Sequence, residues 1–250
     1  MDDSYEYVTK PRGRRLVTFE NQEEAKVVRC ILRHALLVGE GLAKCGMPSD
    51  HFFRLDLIYD RANCKDLAVF HNLLIAKIKQ VMELEQIGML GMVIRKRAGR
   101  TAEMEQFGGV LAECGLSFFQ VRLGQRLWAQ SLHPQIAREI REKQPRILLL
   151  ADTAFSGIDI YEAALITRRL RIGLNLPEDS EIVAFVIYDY LRGAREKLHM
   201  KGVELYSLID WFFFRDLRLL PDRDTLRPVG CPTPRLQFES AASAACAAFR

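Results

Sequence analysis

Two spacings of apolar residues alternate along this chain and predict strands and helices in turn. Short, mostly apolar runs typical of buried strands cover residues 89–94, 147–150 and 181–188, and the segment 117–122 is predicted as another strand. Apolar residues three or four positions apart predict helices over 27–36, 67–81, 107–111, 134–143 and 161–171. The strict alternation from residue 89 to 209 predicts an α/β fold, a mainly parallel sheet flanked by helices on both faces.

The run 147–150 is the best candidate for a central strand, because it is apolar at every position. Small and polar residues at 152–158 predict a turn after it, and helical spacing starts at Ile160. A strand, a loop and a helix N-terminus in this order can hold an anion on free backbone N–H groups. Upstream, Gly39 and Gly41 are expected to end the first predicted helix.

Composition limits the function classes without choosing one. With 250 residues, the chain is long enough for one substantial domain or two small ones. A net charge of +4 gives only weak general attraction to nucleic acid or membranes. No apolar run reaches the length of a membrane span and the first residues are acidic and polar, so a cytoplasmic location is expected. We expect an arm at 1–20, one domain at 21–220 and a Pro/Ala-rich tail at 221–250.

The cysteines do not predict a metal site. All six cysteines are widely scattered, and no Cys-x-x-Cys pair or Cys/His cluster is present in the sequence. Free or buried thiols in a reducing compartment are the expected state.

The central loop carries a family resemblance. Residues 151–158 read A-D-T-A-F-S-G-I. This segment resembles the ribose-phosphate loop of the type I phosphoribosyltransferases, in which two acids, two variable residues, two hydroxyl residues and two glycines follow an apolar strand. Asp152, Ser156 and Gly157 match that pattern. The departures are Ala151 at the first acid, Phe155 at the first hydroxyl and Ile158 at the second glycine.

Two further segments resemble the orotate phosphoribosyltransferases within this family, so the resemblance runs in order over roughly 27–209. The first segment matches at Lys44, Gly46, Ser49, Phe52 and Phe53. The last segment matches at Asp189, Gly193, Ala194, Arg195, Glu196, Gly202, Ser207 and Leu208. Tyr190 stands where the family has an arginine near the base. The resemblance also implies a small hood, built from residues near Lys44 and the last strand.

Two basic stretches are candidates for anion binding. The loop after the strand 89–94 contains Arg95, Lys96, Arg97 and Arg100, which could bind an anion or weakly favour nucleic acid, or could equally be solvated. The resembling family places a charged pyrophosphate clamp after the strand 117–122. Arg122 and Arg126 match two of its positions, and Leu123 replaces a lysine.

The resemblance implies a role for each matched residue. The ligands would be phosphoribosyl pyrophosphate or a related nucleotide, with Mg²⁺ as cofactor if the protein is active. Asp152 would act catalytically on the ribose, and the other binding residues would be Thr153, Ser156 and Gly157 (5′-phosphate), Arg122 and Arg126 (pyrophosphate), Lys44, Phe52 and Phe53 (base), and Asp189. The alternative for one of the two phenylalanines is an ordinary place in the core.

Two functions compete. One is phosphoribosyl transfer to a nitrogenous base; the other is a remodelled ligand sensor or assembly subunit with reduced or lost transferase activity. Ala151, Leu123 and the loss of a Gly-rich loop after residue 94 favour the second. The family resemblance also implies a homodimer or a place in a larger assembly. A serine hydrolase is rejected, because Ala154 and Ile158 stand where a nucleophile elbow needs glycine.

Asp159 predicts weak phosphate binding. The spacing places it just before the helix, where with Glu162 it would resemble a capping box. A carboxylate there would occupy the N–H groups that a ribose 5′-phosphate needs.

Overall fold

Eight strands are present in the computed structural model, which describes residues 15–16, 34–42, 48–62, 64–94, 102–124, 132–177 and 182–210. The strands are β1 (Arg15–Leu16), β2 (Leu36–Leu42), β3 (Pro48–Phe53), β4 (Ile87–Ile94), β5 (Phe118–Arg122), β6 (Arg146–Ala154), β7 (Ile182–Asp189) and β8 (Val203–Asp210). Six of them form one parallel sheet in the order β1-β8-β7-β6-β4-β5. The predicted strand 147–150 is therefore central, as the sequence indicates.

Helices cover both faces of this sheet, which confirms the predicted α/β architecture. They are α1 (Asp56–Arg61), α2 (Cys64–Leu84), α3 (Ala102–Glu113), α4 (Pro134–Lys143), α5 (Ile158–Gly173) and α6 (Ala194–His199). Leu148 and Leu150 of β6 join a core cluster with α2 and α3, whereas Ile147 and Leu149 join a second cluster with α4, α5 and α6. Because successive side chains of a strand point to opposite faces, a strand covered on both faces must be apolar throughout.

The order of the strands marks the edge at which a ligand would bind. The chain passes from β4 to β5 on one side, then returns across β4 to place β6 on the other. In open parallel sheets, ligands bind beyond the carboxyl ends of the strands at such a reversal. Here that edge is formed by the ends of β4, β5 and β6.

The hood is an antiparallel hairpin of β2 and β3, with Leu36 opposite Phe53 and Leu37 opposite Phe52. The expected end of the first helix is therefore wrong. Residues 34–35 are helical, but Leu36 begins a strand that contains both Gly39 and Gly41. Pairing of the two leucines with the phenylalanines overrides the helical spacing of the sequence.

The expected turn at 152–158 is shorter in the structure. Strand β6 continues through Ala154, since Thr153 and Ala154 pair with Tyr188 and Asp189 of β7. Helix α5 begins at Ile158, so the connecting loop consists of residues 155–157. Pairing with the neighbouring strand β7 extends β6 past its polar residues. Local residue types do not predict this pairing.

The predicted terminal segments are largely untested. Within the expected arm at 1–20, residues 15–16 form the edge strand β1 beside β8. The rest of that arm and the tail at 221–250 lie outside the described residues. Among the helices that the structure describes, none is both long and apolar enough to cross a membrane.

Candidate functional site

The candidate site begins at the carboxyl end of β6 with Asp152, which is partly exposed. Its Oδ1 accepts the Thr153 N–H at 2.7 Å and lies 3.4 Å from Thr153 Oγ1. The preceding residue, Ala151, is 4% exposed and belongs to the core cluster with α5. The position matched to the first acid of the resembling family is therefore apolar and buried.

The loop 155–157 connects β6 to α5 and brings two of the predicted residues to the helix N-terminus. Ser156 is half-buried, and Gly157 is the N-cap residue with a φ of +81°. A Cβ on Gly157 would lie 3.1 Å from Leu198 Cγ and 3.4 Å from Ala194 Cα. A glycine is thus required there both by the backbone conformation and by the close approach of α6.

The predicted position of Asp159 just before the helix is wrong. The N-cap residue of α5 is Gly157 and makes no side-chain capping bond, so Asp159 lies within the first helical turn. The Glu162 carboxylate instead accepts the Gly124 N–H at 2.8 Å, which ties the end of β5 to α5. Asp159 still brings negative charge to the helix N-terminus, where the backbone dipoles favour it.

Asp189, at the end of β7, lies in a buried polar network. It is fully buried and its Oδ2 lies 3.1 Å from Arg195 Nη2, while its Oδ1 accepts the Leu191 N–H at 2.9 Å. Arg195 also donates to the Leu205 carbonyl oxygen at 2.5 Å and to Ser207 Oγ at 3.3 Å. These contacts tie α6 to β7 and β8. The ligand-binding role of Asp189 remains a prediction.

An aromatic cluster joins the hood to the sheet edge. His51 Nε2 and Tyr188 Oη lie 2.6 Å apart, and the Phe53 N–H donates to Tyr190 Oη at 2.5 Å. Tyr190 also stacks on His51, with ring centroids 5.1 Å apart, and contacts Phe155 at 4.8 Å. We call the contacts of Tyr188 and Tyr190 with His51 and Phe53 the tyrosine latch. Tyr190 stands where the resembling family has an arginine, and its side chain contacts the hood residues His51 and Phe53.

The other predicted site residues are only partly accounted for. Phe53 is buried in the core and Phe52 is half-buried, which agrees with a packing role for one of the pair. Arg122 ends β5, and its guanidinium donates to Gln120 Oε1. Strand spacing puts the ends of β5 and β6 about 10 Å apart, with β4 between them. Lys44, Arg126, Arg95, Lys96, Arg97 and Arg100 lie outside the described residues.

The described residues do not fit a metal site made by protein groups alone. No group of three or more potential ligands among His, Cys, Asp and Glu comes together in the described ranges. Mg²⁺ in phosphate sites often takes one or two carboxylates and completes its octahedron with water and phosphate oxygens. Asp152 could supply one such oxygen to an ion carried in by its ligand.

The parallel sheet, the helices on both faces, the hood and the loop between β6 and α5 together define a type I phosphoribosyltransferase-like fold. Comparison with solved structures agrees. The chain superposes on the orotate phosphoribosyltransferase of Aeropyrum pernix with a TM-score of 0.51 and 19% identity, covering 78% of this chain and 98% of the other.

Two further structures give the same result. A phosphoribosyltransferase from Corynebacterium diphtheriae gives a TM-score of 0.50 at 14% identity, over 78% of this chain and 99% of that one. The UMP synthase of Leishmania donovani gives 0.50 at 13% identity, over 91% of this chain and 41% of that one. No protein-family model matches the sequence, and no curated protein sequence matches it significantly. At these identities the likeness establishes the fold alone.

The sequence pattern did not predict the tyrosine latch. Tyr188 and Tyr190 read as the end of a buried strand, and His51 lies between matched positions of the hood segment. The signal available was the placement of two tyrosines two residues apart at a strand end. Which ring meets which hood residue depends on a contact across 137 positions of sequence.

Proposed function

We propose that this protein is a remodelled phosphoribosyltransferase-fold protein with reduced or lost transferase activity, which acts as a ligand sensor or as a subunit of an assembly. The observation that carries the proposal is Ala151, buried at 4% exposure beside Asp152. Transfer of a ribosyl group passes through a cationic sugar, which neighbouring carboxylates would stabilise electrostatically. One carboxylate at this strand end supplies less of that stabilisation than a pair would.

The surroundings of Asp152 support the same proposal. Leu123, in place of the lysine of the resembling family, is 5% exposed and packs in the core, so it adds no charge for a leaving group. Asp159 adds a negative charge to the first turn of α5, next to the loop 155–157. A phosphate dianion approaching this loop would meet like charge, which weakens binding.

The alternative function is phosphoribosyl transfer from phosphoribosyl pyrophosphate to a nitrogenous base, with Mg²⁺. Asp152 favours it, because this carboxylate lies at the carboxyl end of a central parallel strand, where ligands of such sheets bind. In that case Asp152 would hold the ribose hydroxyls, while Thr153, Ser156 and Gly157 would surround the 5′-phosphate. Association as a homodimer or within a larger assembly belongs to both proposals.

Calorimetric titration with phosphoribosyl pyrophosphate and Mg²⁺ tests the proposal at the level of binding. We expect no saturable heat at micromolar concentrations. Asp152→Asn, which keeps the shape but removes the charge, is the matched variant. A micromolar dissociation constant that weakens tenfold or more in Asp152→Asn would contradict this expectation and show that the strand end still binds the ligand through Asp152.

A further inference from the structure

The hood is fastened to the sheet at two points of the tyrosine latch. Tyr188 Oη meets His51 Nε2 at 2.6 Å, and Tyr190 Oη accepts the Phe53 N–H at 2.5 Å. All four residues are buried, at 0% exposure for His51 and Tyr188 and 6% for Phe53 and Tyr190. Both hydrogen bonds join a residue of strand β3 to a tyrosine hydroxyl, and the two tyrosines are separated by a single residue. Loss of the two hydroxyls would therefore remove both of these attachments of β3 together.

The turn after β7 holds Tyr190 in place for this contact. The Tyr190 N–H donates to the Ala154 carbonyl oxygen at 3.0 Å, which extends the pairing of β6 and β7. Leu191 follows with a φ of +55°, a conformation that bulky residues rarely adopt. Its N–H donates to Asp189 Oδ1 at 2.9 Å. A strained residue held by a buried carboxylate fixes the direction of the ring before it.

The tyrosine latch also touches the loop that leads into α5. Phe155 packs on Tyr190 with ring centroids 4.8 Å apart, at an angle of 56°. Phe155 is half-buried and packs against the same core cluster as Phe53 and Tyr190. The hood, the end of β7 and the loop 155–157 therefore meet through one ring.

We propose that the hood is a lid fastened by the tyrosine latch, and that its release frees the loop 155–157, which contacts Tyr190 of the latch through Phe155. The lid consists of β2 and β3, and the fixed part is the parallel sheet. Its opening breaks the two hydrogen bonds of the tyrosine latch and separates Tyr190 from His51. The proposal rests on these contacts and holds whether or not the protein binds phosphoribosyl pyrophosphate.

Hydrogen exchange measured by mass spectrometry tests the lid in the full chain. The double variant Tyr188→Phe, Tyr190→Phe keeps both rings and removes both hydroxyls. We expect amides of the hood peptides 36–42 and 48–53 and of the loop 155–157 to exchange at least tenfold faster. Amides within the central strands at 147–150 and 183–186 should keep their wild-type rates, because local opening leaves them paired.

Tyr206→Phe is the matched control, since it removes another buried tyrosine hydroxyl, one that donates to Glu85 rather than to the hood. It should leave hood exchange unchanged. Unchanged hood exchange in the double variant, or equal acceleration in the hood and the central strands, would overturn the lid. Faster hood exchange without faster exchange at 155–157 would overturn the proposed connection between the lid and this loop. If the double variant does not fold, Tyr190→Phe alone must show the same selective pattern.

Discussion

Gly157 is the residue on which the geometry of the candidate loop depends. Because its φ is +81° and a Cβ would press on Leu198 and Ala194, Gly157→Ala should lower the free energy of unfolding by about 1–3 kcal/mol. Gly109→Ala is the control, because Gly109 is helical and nothing lies within 4 Å of its Cβ position. That change should stabilise by roughly 0.5–1 kcal/mol. Urea denaturation measures both, and equal stability of Gly157→Ala and wild type would refute the requirement.

Replacing Asp159 is expected to strengthen phosphate binding and to lower the stability of the fold. Asp159→Ser should strengthen binding of inorganic phosphate by roughly tenfold, because it removes like charge near the loop. It should also cost about 0.3–1 kcal/mol of stability, since a carboxylate in the first helical turn favours the helix dipole. Glu142→Ser makes the same charge change on an exposed face of α4. Equal gains in phosphate affinity in the two variants would mean that only net charge matters.

Residue types in the sequence predicted part of the candidate site. The pattern at 151–158 identified the loop, since hydroxyl and glycine residues after an apolar run are a local signal. It could not show that Gly157 rather than Asp159 precedes the helix, because the helix start is set by the fit against α6. It also could not show that Asp189 lies at 0% exposure beside Arg195, since burial is not local.

At the scale of elements, the buried pair of Arg195 and Asp189 joins α6 to the sheet. Arg195→Ala would leave the buried Asp189 carboxylate without its guanidinium partner and would remove the hydrogen bond that Arg195 donates to Ser207 Oγ. We expect a loss of about 3–5 kcal/mol in the free energy of unfolding. Arg138→Ala breaks an exposed pair four residues apart on α4 and should cost less than about 0.5 kcal/mol. Similar losses in both variants would show that the Arg195 network does not hold α6.

Helix α2 carries the clearest source of pH dependence. His71 lies buried among Phe70 and Phe107 and within 3.0 Å of Tyr59 Oη, and burial lowers its pKa below the usual 6.5. As the pH falls below 6.5 the unfolded chain takes up this proton first, so folding stability falls. The His71 contribution is therefore complete above the unfolded-state pKa and is lost as the pH falls through the folded-state pKa.

Replacing His71 tests this directly. His71→Gln should flatten the dependence of unfolding free energy on pH between about pH 7 and 5, because glutamine does not titrate. The control is His133→Gln, which removes an exposed histidine just before α4. A wild-type slope retained in His71→Gln would place the titrating group elsewhere.

Most elements follow from spacing, and the failures occur where distant pairing decides. The predicted strand 89–94 and helix 67–81 correspond to β4 and α2. The strand at 36–42 was not predicted, because it is formed by pairing with residues 48–53 and no local pattern indicates that pairing. For the same reason β6 was predicted too short, since its last residues are held by β7.

At the scale of the molecule, alternation predicted the parallel sheet, while the strand order placed the site. Strands β4, β5 and β6 bring Arg122 and Asp152 to one edge, although thirty positions separate them in the sequence. Whether that edge can catalyse phosphoribosyl transfer depends on the side chains that lie there. Ala151 is buried, Leu123 is buried, and Tyr190 binds the hood. These three departures from the pattern of the resembling family support the proposal of a phosphoribosyltransferase-like fold with reduced or lost transferase activity.

The release of pyrophosphate from phosphoribosyl pyrophosphate, measured with Mg²⁺ and a panel of nitrogenous bases, tests this account most directly. We predict that release with every base is absent or far slower than about 1 s⁻¹, because a single carboxylate stands at the end of β6 where the resembling family has two. Base-dependent release by the wild type at about 1 s⁻¹ or faster, lost in Asp152→Asn, would contradict the account and identify an active transferase.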